Sequence, residues 1–251
     1  MEEQAEGLRE LVNGNFTEKK KTNSKGEHST RIIAITSGKG GVGKTNIAVN
    51  LALKLKKQGT DTVIADLDIV NPYFRTKDSI KILNEAGIQL ISPAFANTNV
   101  DLPALPQEAY SLVQQKNFYA VLDVGGDDRG AYALGRYAPY IKEENNYEML
   151  LVINKARPLT RNVPDTVEVV DEMVKACGLP FTGIVNNTNL GPETTEEDVL
   201  SSIAYAEEVS KVLGIPIKMT CCDEKLYEKL KDKVENLFPL SLQKLYYHLN
   251  S

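Results

Sequence analysis

The stretch Ser37–Asn46 reads S-G-K-G-G-V-G-K-T-N and is the most informative part of the sequence. It follows the apolar run Ile32–Ile35 and precedes apolar residues at helical spacing, Ile47, Leu51 and Leu55. The sequence therefore predicts a buried strand, a glycine-rich loop and a helix, in that order.

The loop fits the pattern G-x-x-x-x-G-K-[ST], with Gly38 and Gly43 as its spaced glycines. Glycines let backbone N–H groups approach a phosphate closely, and the N-terminus of the following helix adds partial positive charge. We expect Lys44 to reach the outer phosphates of a nucleotide and Thr45 to offer its hydroxyl to Mg²⁺. The residues predicted to bind the nucleotide here are Gly38, Lys39, Gly40, Gly41, Val42, Gly43, Lys44, Thr45 and Asn46.

The composition is that of a water-soluble globular protein. The chain has 251 residues, 42% hydrophobic and 25% charged, and a net charge of -5. This acidic balance does not favour extended DNA binding, and no apolar stretch approaches the ~18 residues of a membrane span. The first ten residues lack the apolar core of a secretory signal, and three cysteines make no disulfide framework. A cytoplasmic protein with reduced thiols is the prediction.

Strand and helix patterns alternate from residue 31 onward. Several strand candidates are continuous apolar runs, which is typical of a parallel sheet buried on both faces. The sequence predicts one three-layer αβα domain over residues 31–251 with a mostly parallel central sheet, preceded by a mobile or peripherally docked extension over residues 1–30. The predicted strands are Arg31–Thr36, Thr62–Asp66, Gln89–Ser92, Tyr119–Val124, Met149–Ile153, Phe181–Asn187 and Pro216–Thr220; the main predicted helices are Gly43–Lys57, Asp165–Cys177, Thr195–Leu213 and Lys225–Leu237.

In this context K-G-G-V-G-K-T resembles the deviant Walker A loop of the MinD/ParA family of P-loop ATPases. That family includes partition ATPases, division-site ATPases and iron–sulfur carrier ATPases. The resemblance implies a P-loop NTPase fold, Mg²⁺-dependent ATP binding, slow ATP hydrolysis to ADP and a homodimer controlled by the nucleotide. It also implies that Lys39 reaches the phosphates bound by the partner subunit, where a cation supplied in trans stabilises the transferring phosphoryl group.

Two acidic segments follow strand candidates. The segment A-D-L-D resembles the family's D-x-D element, and this match implies that Asp68 orients the attacking water while Asp66 lies nearer the Mg²⁺. The segment V-L-D fits a Walker B strand, so that Asp123 would hold Mg²⁺, usually through a water. Gly125 and Gly126 are then expected to form a switch loop beneath the outer phosphate. The charged residues 127–129 depart from many relatives and leave the partner open.

Pattern alone leaves the base-reading residues open. Asn154–Arg157 follows a strand but lacks the aspartate of the guanine-reading pattern N-K-x-D. The resemblance implies that an asparagine closing a later strand contacts adenine, and the spacing leaves Asn186 and Asn187 both open. Gly214–Pro216 resembles the loop beside the base, so Pro216 joins the predicted site. ATP is therefore favoured over GTP.

Three outputs remain open for such a switch. A partition or positioning ATPase binds DNA or a scaffold protein, whereas a metal-cofactor maturation ATPase needs exposed cysteines at a dimer axis. A small-molecule ligase or kinase needs an acceptor pocket beside the outer phosphate. A bridging cluster is not favoured, because Cys221 and Cys222 are adjacent and Cys177 is distant in sequence.

Two further segments are candidates for surface roles. Asn71–Arg75 carries two aromatic residues and an arginine, and fits either a partner surface or a small packing cluster. Ser241–Leu249 is predicted to be a helix that packs on the domain, because its polar side lacks the basic residues of a membrane-binding helix.

Overall fold

The computed structural model describes residues 31–38, 41–68, 80–91 and 119–241. The predicted extension over residues 1–30, the segment Asn71–Arg75 and nearly all of the predicted helix Ser241–Leu249 lie outside these ranges. The strands are β1 (Arg31–Thr36), β2 (Thr62–Asp66), β3 (Gln89–Ile91), β4 (Tyr119–Asp123), β5 (Tyr147–Ile153), β6 (Gly183–Asn186), β7 (Ile217–Asp223) and β8 (Leu237–Leu240).

These strands form one sheet in the order β3-β2-β4-β1-β5-β6-β7-β8. Every neighbouring pair is parallel. The prediction of an α/β fold around a parallel central sheet is therefore confirmed. The helices are α1 (Lys44–Lys57), α2 (Ile80–Glu85), α3 (Asp128–Gly135), α4 (Ala138–Glu144), α5 (Val163–Cys177), α6 (Glu196–Ser201), α7 (Ile203–Leu213) and α8 (Glu224–Leu230).

The central strand β1 shows why the sheet is buried on both faces. Alternate side chains of a strand point to opposite sides. Ile33 and Ile35 pack in an apolar cluster with Leu51 of α1. Ile32 packs in a second cluster with Val169 of α5. A strand with helices on both sides requires apolar residues at consecutive positions, as the sequence has here.

Two predicted helices are wrong in extent. The predicted helix Thr195–Leu213 is two helices, α6 and α7, which meet at Ser202. The Ser202 hydroxyl donates to the Val199 carbonyl at 2.7 Å and accepts from Asn186 at 2.8 Å, so this side chain competes with the regular helix ladder.

The predicted helix Lys225–Leu237 is also too long, because α8 ends at Leu230 and Leu237 begins β8. The backbone of Asn236 is left-handed, with φ of 52°, which redirects the chain into the sheet. β8 lies at the end of the strand order, where Pro239 is tolerated because an edge strand pairs on one side only.

A buried ion cluster lies near the amino-terminal edge of the sheet. Glu148 of β5 is 1% exposed and pairs with Arg31 of β1 and with Lys218 of β7, the latter at 3.5 Å. Lys218 reaches Glu148 across β6 at Gly183, where an added Cβ would lie 2.3 Å from Lys218 Cγ. The glycine therefore makes room for a buried pair that spans three strands.

Candidate nucleotide site

The candidate site lies at the carboxyl-terminal edge of the sheet. Because the strands are parallel, the loops that follow β1, β2, β4, β5 and β6 leave the sheet at this same edge. The register places Asp66 at the end of β2 directly opposite Asp123 at the end of β4. The fold thus brings the glycine-rich loop and both acidic segments together.

Two glycines of the loop adopt backbone conformations that disfavour other residues. Gly41 has φ of 87° and Gly43 has φ of 91°. α1 begins directly after Gly43 with no acidic residue in its first turn, which leaves its N-terminal N–H groups suited to an anion. Lys44 is 6% exposed, and its Nζ donates to Ser37 Oγ at 3.1 Å. Lys39 and Gly40 lie outside the described residues.

The first glycine of the loop is required by packing. A Cβ added to Gly38 would lie 1.9 Å from Cγ1 of Val169 on α5, which is too close for two non-bonded carbon atoms. The loop therefore rests directly on α5. Further along, the Asn46 side chain accepts from Asn50 Nδ2 at 2.8 Å within α1.

The Thr45 hydroxyl donates to Asp123 Oδ2 at 2.5 Å. Asp66, Asp68 and Asp123 are each at most 3% exposed. A hydroxyl beside buried carboxylates is a set of hard oxygen donors, which suits Mg²⁺. Within the described ranges no three His, Cys, Asp or Glu side chains form a metal cage, and Mg²⁺ in nucleotide sites relies instead on one or two protein groups plus phosphates and water.

The two carboxylates after β2 have different surroundings. Asp66 Oδ1 accepts from the Asp68 N–H at 2.9 Å and so closes the turn between them. The Asp68 carboxylate lies against the loop after β4, since a Cβ added to Gly125 would be 3.0 Å from Asp68 Oδ2. This loop is itself held by Asp127, whose Oδ1 accepts from the Gly130 N–H at 2.9 Å and caps α3.

The two candidate base-reading asparagines form hydrogen bonds with different parts of the fold. Asn186 is fully buried, and its Nδ2 donates to Ser202 at 2.8 Å. Its Oδ1 accepts from the Thr188 hydroxyl at 2.9 Å. Asn187 points the other way, toward the phosphate loop, where its Nδ2 donates to the Val42 carbonyl at 2.7 Å. A backbone carbonyl and the N–H of the next residue point in opposite directions, so this bond orients the N–H that follows Val42.

Pro216 is not brought to this edge. It precedes β7, and its carbonyl accepts from the N–H of Ile184 near the start of β6 at 2.9 Å. A strand of this length separates it from the edge that carries the phosphate loop, at roughly 3.3 Å per residue. The carboxyl end of β7, at Asp223, is the part of this strand that lies at the edge of the site.

The loop after β5 belongs to the same edge, although its sequence lacks a complete base-reading pattern. Asn154 is fully buried; its Oδ1 accepts from the Ala156 N–H at 2.9 Å and its Nδ2 donates to the Asn189 carbonyl at 3.2 Å. Arg157 follows and lies beside Gly41 of the phosphate loop. The segment follows β5, which pairs with β1, and this strand order brings it beside the phosphate loop.

All three cysteines are buried. Cys221 and Cys222 belong to different apolar clusters, on opposite sides of β7. Burial raises the pKa of Cys177 and Cys221, and burial together with the charge of Asp223 raises the pKa of Cys222 to about 11. Buried thiols that resist ionisation are poor ligands for an iron–sulfur cluster.

No helix in the part of the chain that the structure describes is both long and apolar enough to cross a bilayer.

Known proteins with similar sequences include P-loop NTPases and iron–sulfur cluster carriers. A ParA family model, described as NUBPL iron-transfer P-loop NTPase, matches residues 28–93. The antiactivator FleN of Pseudomonas aeruginosa is 52% identical over 106 residues, which covers 35% of this chain and 38% of FleN. An iron–sulfur cluster carrier protein of Rickettsia typhi is 26% identical over 257 residues, covering 91% of this chain and 76% of the carrier.

Solved structures agree on the fold. The cell division protein FtsY of Thermotoga maritima superposes with a TM-score of 0.56 at 21% identity, covering 88% of this chain and 70% of FtsY. At this identity the likeness concerns the fold alone. The matched family model and the sequence relatives make the chain similar to P-loop NTPases of the ParA/MinD type, and FleN is matched over little more than a third of its length.

Proposed function

We propose that this chain is a Mg²⁺-dependent ATPase that dimerises with ATP and thereby switches a protein partner. The observation that carries the proposal is the contact between the Thr45 hydroxyl and Asp123 at 2.5 Å, at the start of the helix that follows the phosphate loop. In P-loop NTPases these two residue types hold the metal that accompanies the nucleotide phosphates.

The phosphate-binding part of the proposal rests on the loop and on Lys44. The left-handed glycines and the N-terminus of α1 offer backbone N–H groups to phosphate oxygens. Lys44 is buried beside Ser37, so its charge acts in a region where water screens it weakly. Thr45 and Asp123 would hold Mg²⁺, which supplies positive charge to the phosphates when it is bound.

Hydrolysis would depend on Asp68. Its buried carboxylate lies against Gly125, in the loop expected beneath the outer phosphate. A carboxylate there accepts a hydrogen bond from the attacking water and orients it. Asp66 closes the turn that holds Asp68 in place and lies beside the metal position.

ATP is the proposed nucleotide. The segment after β5 lacks the aspartate that reads guanine, and the amide of Asn154 is engaged at both ends within its own loops. Asn187 and the residues after it line the edge of the sheet where a base would lie next to the phosphate loop. The dimer itself rests on Lys39 and on the family resemblance.

Phosphate release tests this function. The wild type should release phosphate from ATP with Mg²⁺ and show little release with GTP or with EDTA. Asp68→Asn should lower turnover by about 100-fold or more while ATP still binds. The matched control is Asp61→Asn, an exposed aspartate that pairs with Lys56 away from the site and should leave turnover unchanged. Wild-type turnover in Asp68→Asn would contradict the assigned role.

A second candidate is metal-cofactor maturation, which the matched family description and the Rickettsia relative favour. The burial of all three cysteines speaks against cluster transfer through this chain's own thiols. Anaerobic incubation with iron and sulfide, followed by gel filtration and absorbance, separates the two. We expect no cluster on the protein; a stable cluster lost in Cys222→Ser would favour maturation.

A further inference from the structure

A cation of the loop after β5 lies against the phosphate loop. If a Cβ is built on Gly41, the Nε and Cζ atoms of Arg157 are each 3.9 Å from it, which is van der Waals contact. Gly41 itself is exposed and left-handed. The guanidinium group therefore sits beside the exposed side of the loop that is built to bind anions.

The backbone holds Arg157 in this position. Pro158 follows it, and a residue before proline is restricted to extended conformations such as the φ of -114° and ψ of 139° observed here. The Arg157 N–H donates to the Asn154 carbonyl at 2.9 Å, and its carbonyl accepts from the N–H of the buried Thr160 at 3.1 Å. The side chain thus projects from a fixed point.

The segment is also tied to the loop after β6. Asn154 Nδ2 donates to the Asn189 carbonyl, and the Lys155 N–H donates to Thr188 Oγ1 at 3.1 Å. The neighbouring Asn187 bonds the phosphate loop. The segment that carries Arg157 is therefore connected to the phosphate loop through the loop after β6.

The positive charge of Arg157 is not neutralised by an ion pair with a carboxylate of the described residues. By contrast, Arg161 of the same segment pairs with Asp165 at 3.8 Å. The planar guanidinium group binds phosphate through paired hydrogen bonds, and its charge persists at every relevant pH.

We propose that Arg157 binds the polyphosphate of the nucleotide held by its own subunit. This inference rests on the proposed nucleotide binding and extends it to a second cation in cis, beside Gly41. Its ligand class is a nucleoside di- or triphosphate. Since the group is exposed, its effect should weaken as salt increases.

The test measures dissociation constants for fluorescent ADP and ATP analogues, at low and high salt, in three variants. Arg157→Gln should bind both nucleotides about 10-fold more weakly at low salt, with a smaller salt dependence than wild type. Arg157→Lys should recover part of the affinity, because it keeps the charge without the fork. The matched control Arg161→Gln should bind as wild type does. Thermal midpoints without nucleotide should agree among all four proteins, because neither arginine is buried.

The outcomes separate the two proposals. Wild-type affinity in Arg157→Gln, with nucleotide binding intact, overturns the role of Arg157 and leaves the proposed function standing. Failure of the wild type to bind either nucleotide overturns both. Weak binding together with a lowered thermal midpoint in Arg157→Gln, with no recovery in Arg157→Lys, assigns Arg157 a structural role and also overturns the inference.

Discussion

The bond between Asn187 and the phosphate loop can be tested by an almost isosteric substitution. Asn187 is 3% exposed, and its Nδ2 donates to the Val42 carbonyl at 2.7 Å. Asn187→Asp replaces that donor by an oxygen that faces the carbonyl oxygen. Asn187→Ala only removes the donor, which should lower the free energy of unfolding by about 1–3 kcal/mol. The aspartate adds repulsion and a buried charge, so we expect it to cost about 3 kcal/mol or more.

The matched control is Asn189→Asp. Asn189 also donates a 2.7 Å hydrogen bond, to the Asn187 carbonyl, but it is only partly buried. The same chemical change there should cost less, on the order of 1 kcal/mol, because water can solvate the new charge. Urea unfolding followed by circular dichroism gives all of these values.

The affinities of these variants for ATP and GTP show whether Asn187 supports the phosphate loop or reads the base. If it supports the loop, Asn187→Asp and Asn187→Ala should lower affinity for ATP and GTP in the same proportion. If it reads the base, affinity for ATP alone should fall. A free energy of unfolding within about 0.5 kcal/mol of wild type in both variants would contradict a stabilising bond between Asn187 and Val42, since that is the range of ordinary surface substitutions.

Three further predictions follow from other contacts. Gly125→Ala places a Cβ 3.0 Å from Asp68 Oδ2, so turnover should fall roughly 10-fold with nucleotide affinity retained; unchanged steady-state turnover would contradict this. Glu148→Gln should destabilise the fold by about 3–5 kcal/mol in urea, because it removes the buried carboxylate that the buried charge of Lys218 faces, and adding Lys218→Met should restore most of the loss; no restoration would contradict the pairing. The pKa of Cys222 is raised to about 11 by burial and by a neighbouring carboxylate. The free energy of unfolding should therefore be highest below about pH 8.5 and fall as the pH rises toward 11, because the folded state keeps the thiol proton that the unfolded state loses. Cys222→Ala should show a shallower fall in that window, and a pH dependence identical to that of wild type would contradict this.

The strand, loop and helix around Ser37–Asn46 could be predicted because their signals are local. The apolar run, the glycines and the helical spacing each fit one type of element. The resemblance assigned Asp66 and Asp123 to one site, and the structure places them opposite each other at the ends of neighbouring parallel strands.

Contacts between residues that are distant in sequence could not be predicted from the sequence. Asn186 and Asn187 are adjacent and chemically identical, and only the fold shows that one bonds Ser202 and the other the phosphate loop. Likewise Leu237–Leu240 continues the apolar spacing of α8, and only its pairing with β7 makes it a strand. The resemblance predicts Pro216 beside the base, whereas Pro216 precedes β7 and so lies at the opposite edge of the sheet.

The most direct test of the proposed switch is the oligomeric state of wild type and Lys39→Ala, measured by sedimentation velocity with Mg²⁺ and either ADP or a non-hydrolysable ATP analogue. Nucleotide affinity measured in parallel confirms that the variant is loaded. We expect a wild-type dimer with the ATP analogue, a monomer with ADP, and a monomer of Lys39→Ala in both states. A wild type that stays monomeric while saturated with the ATP analogue, or a Lys39→Ala protein that dimerises as wild type does, would contradict it.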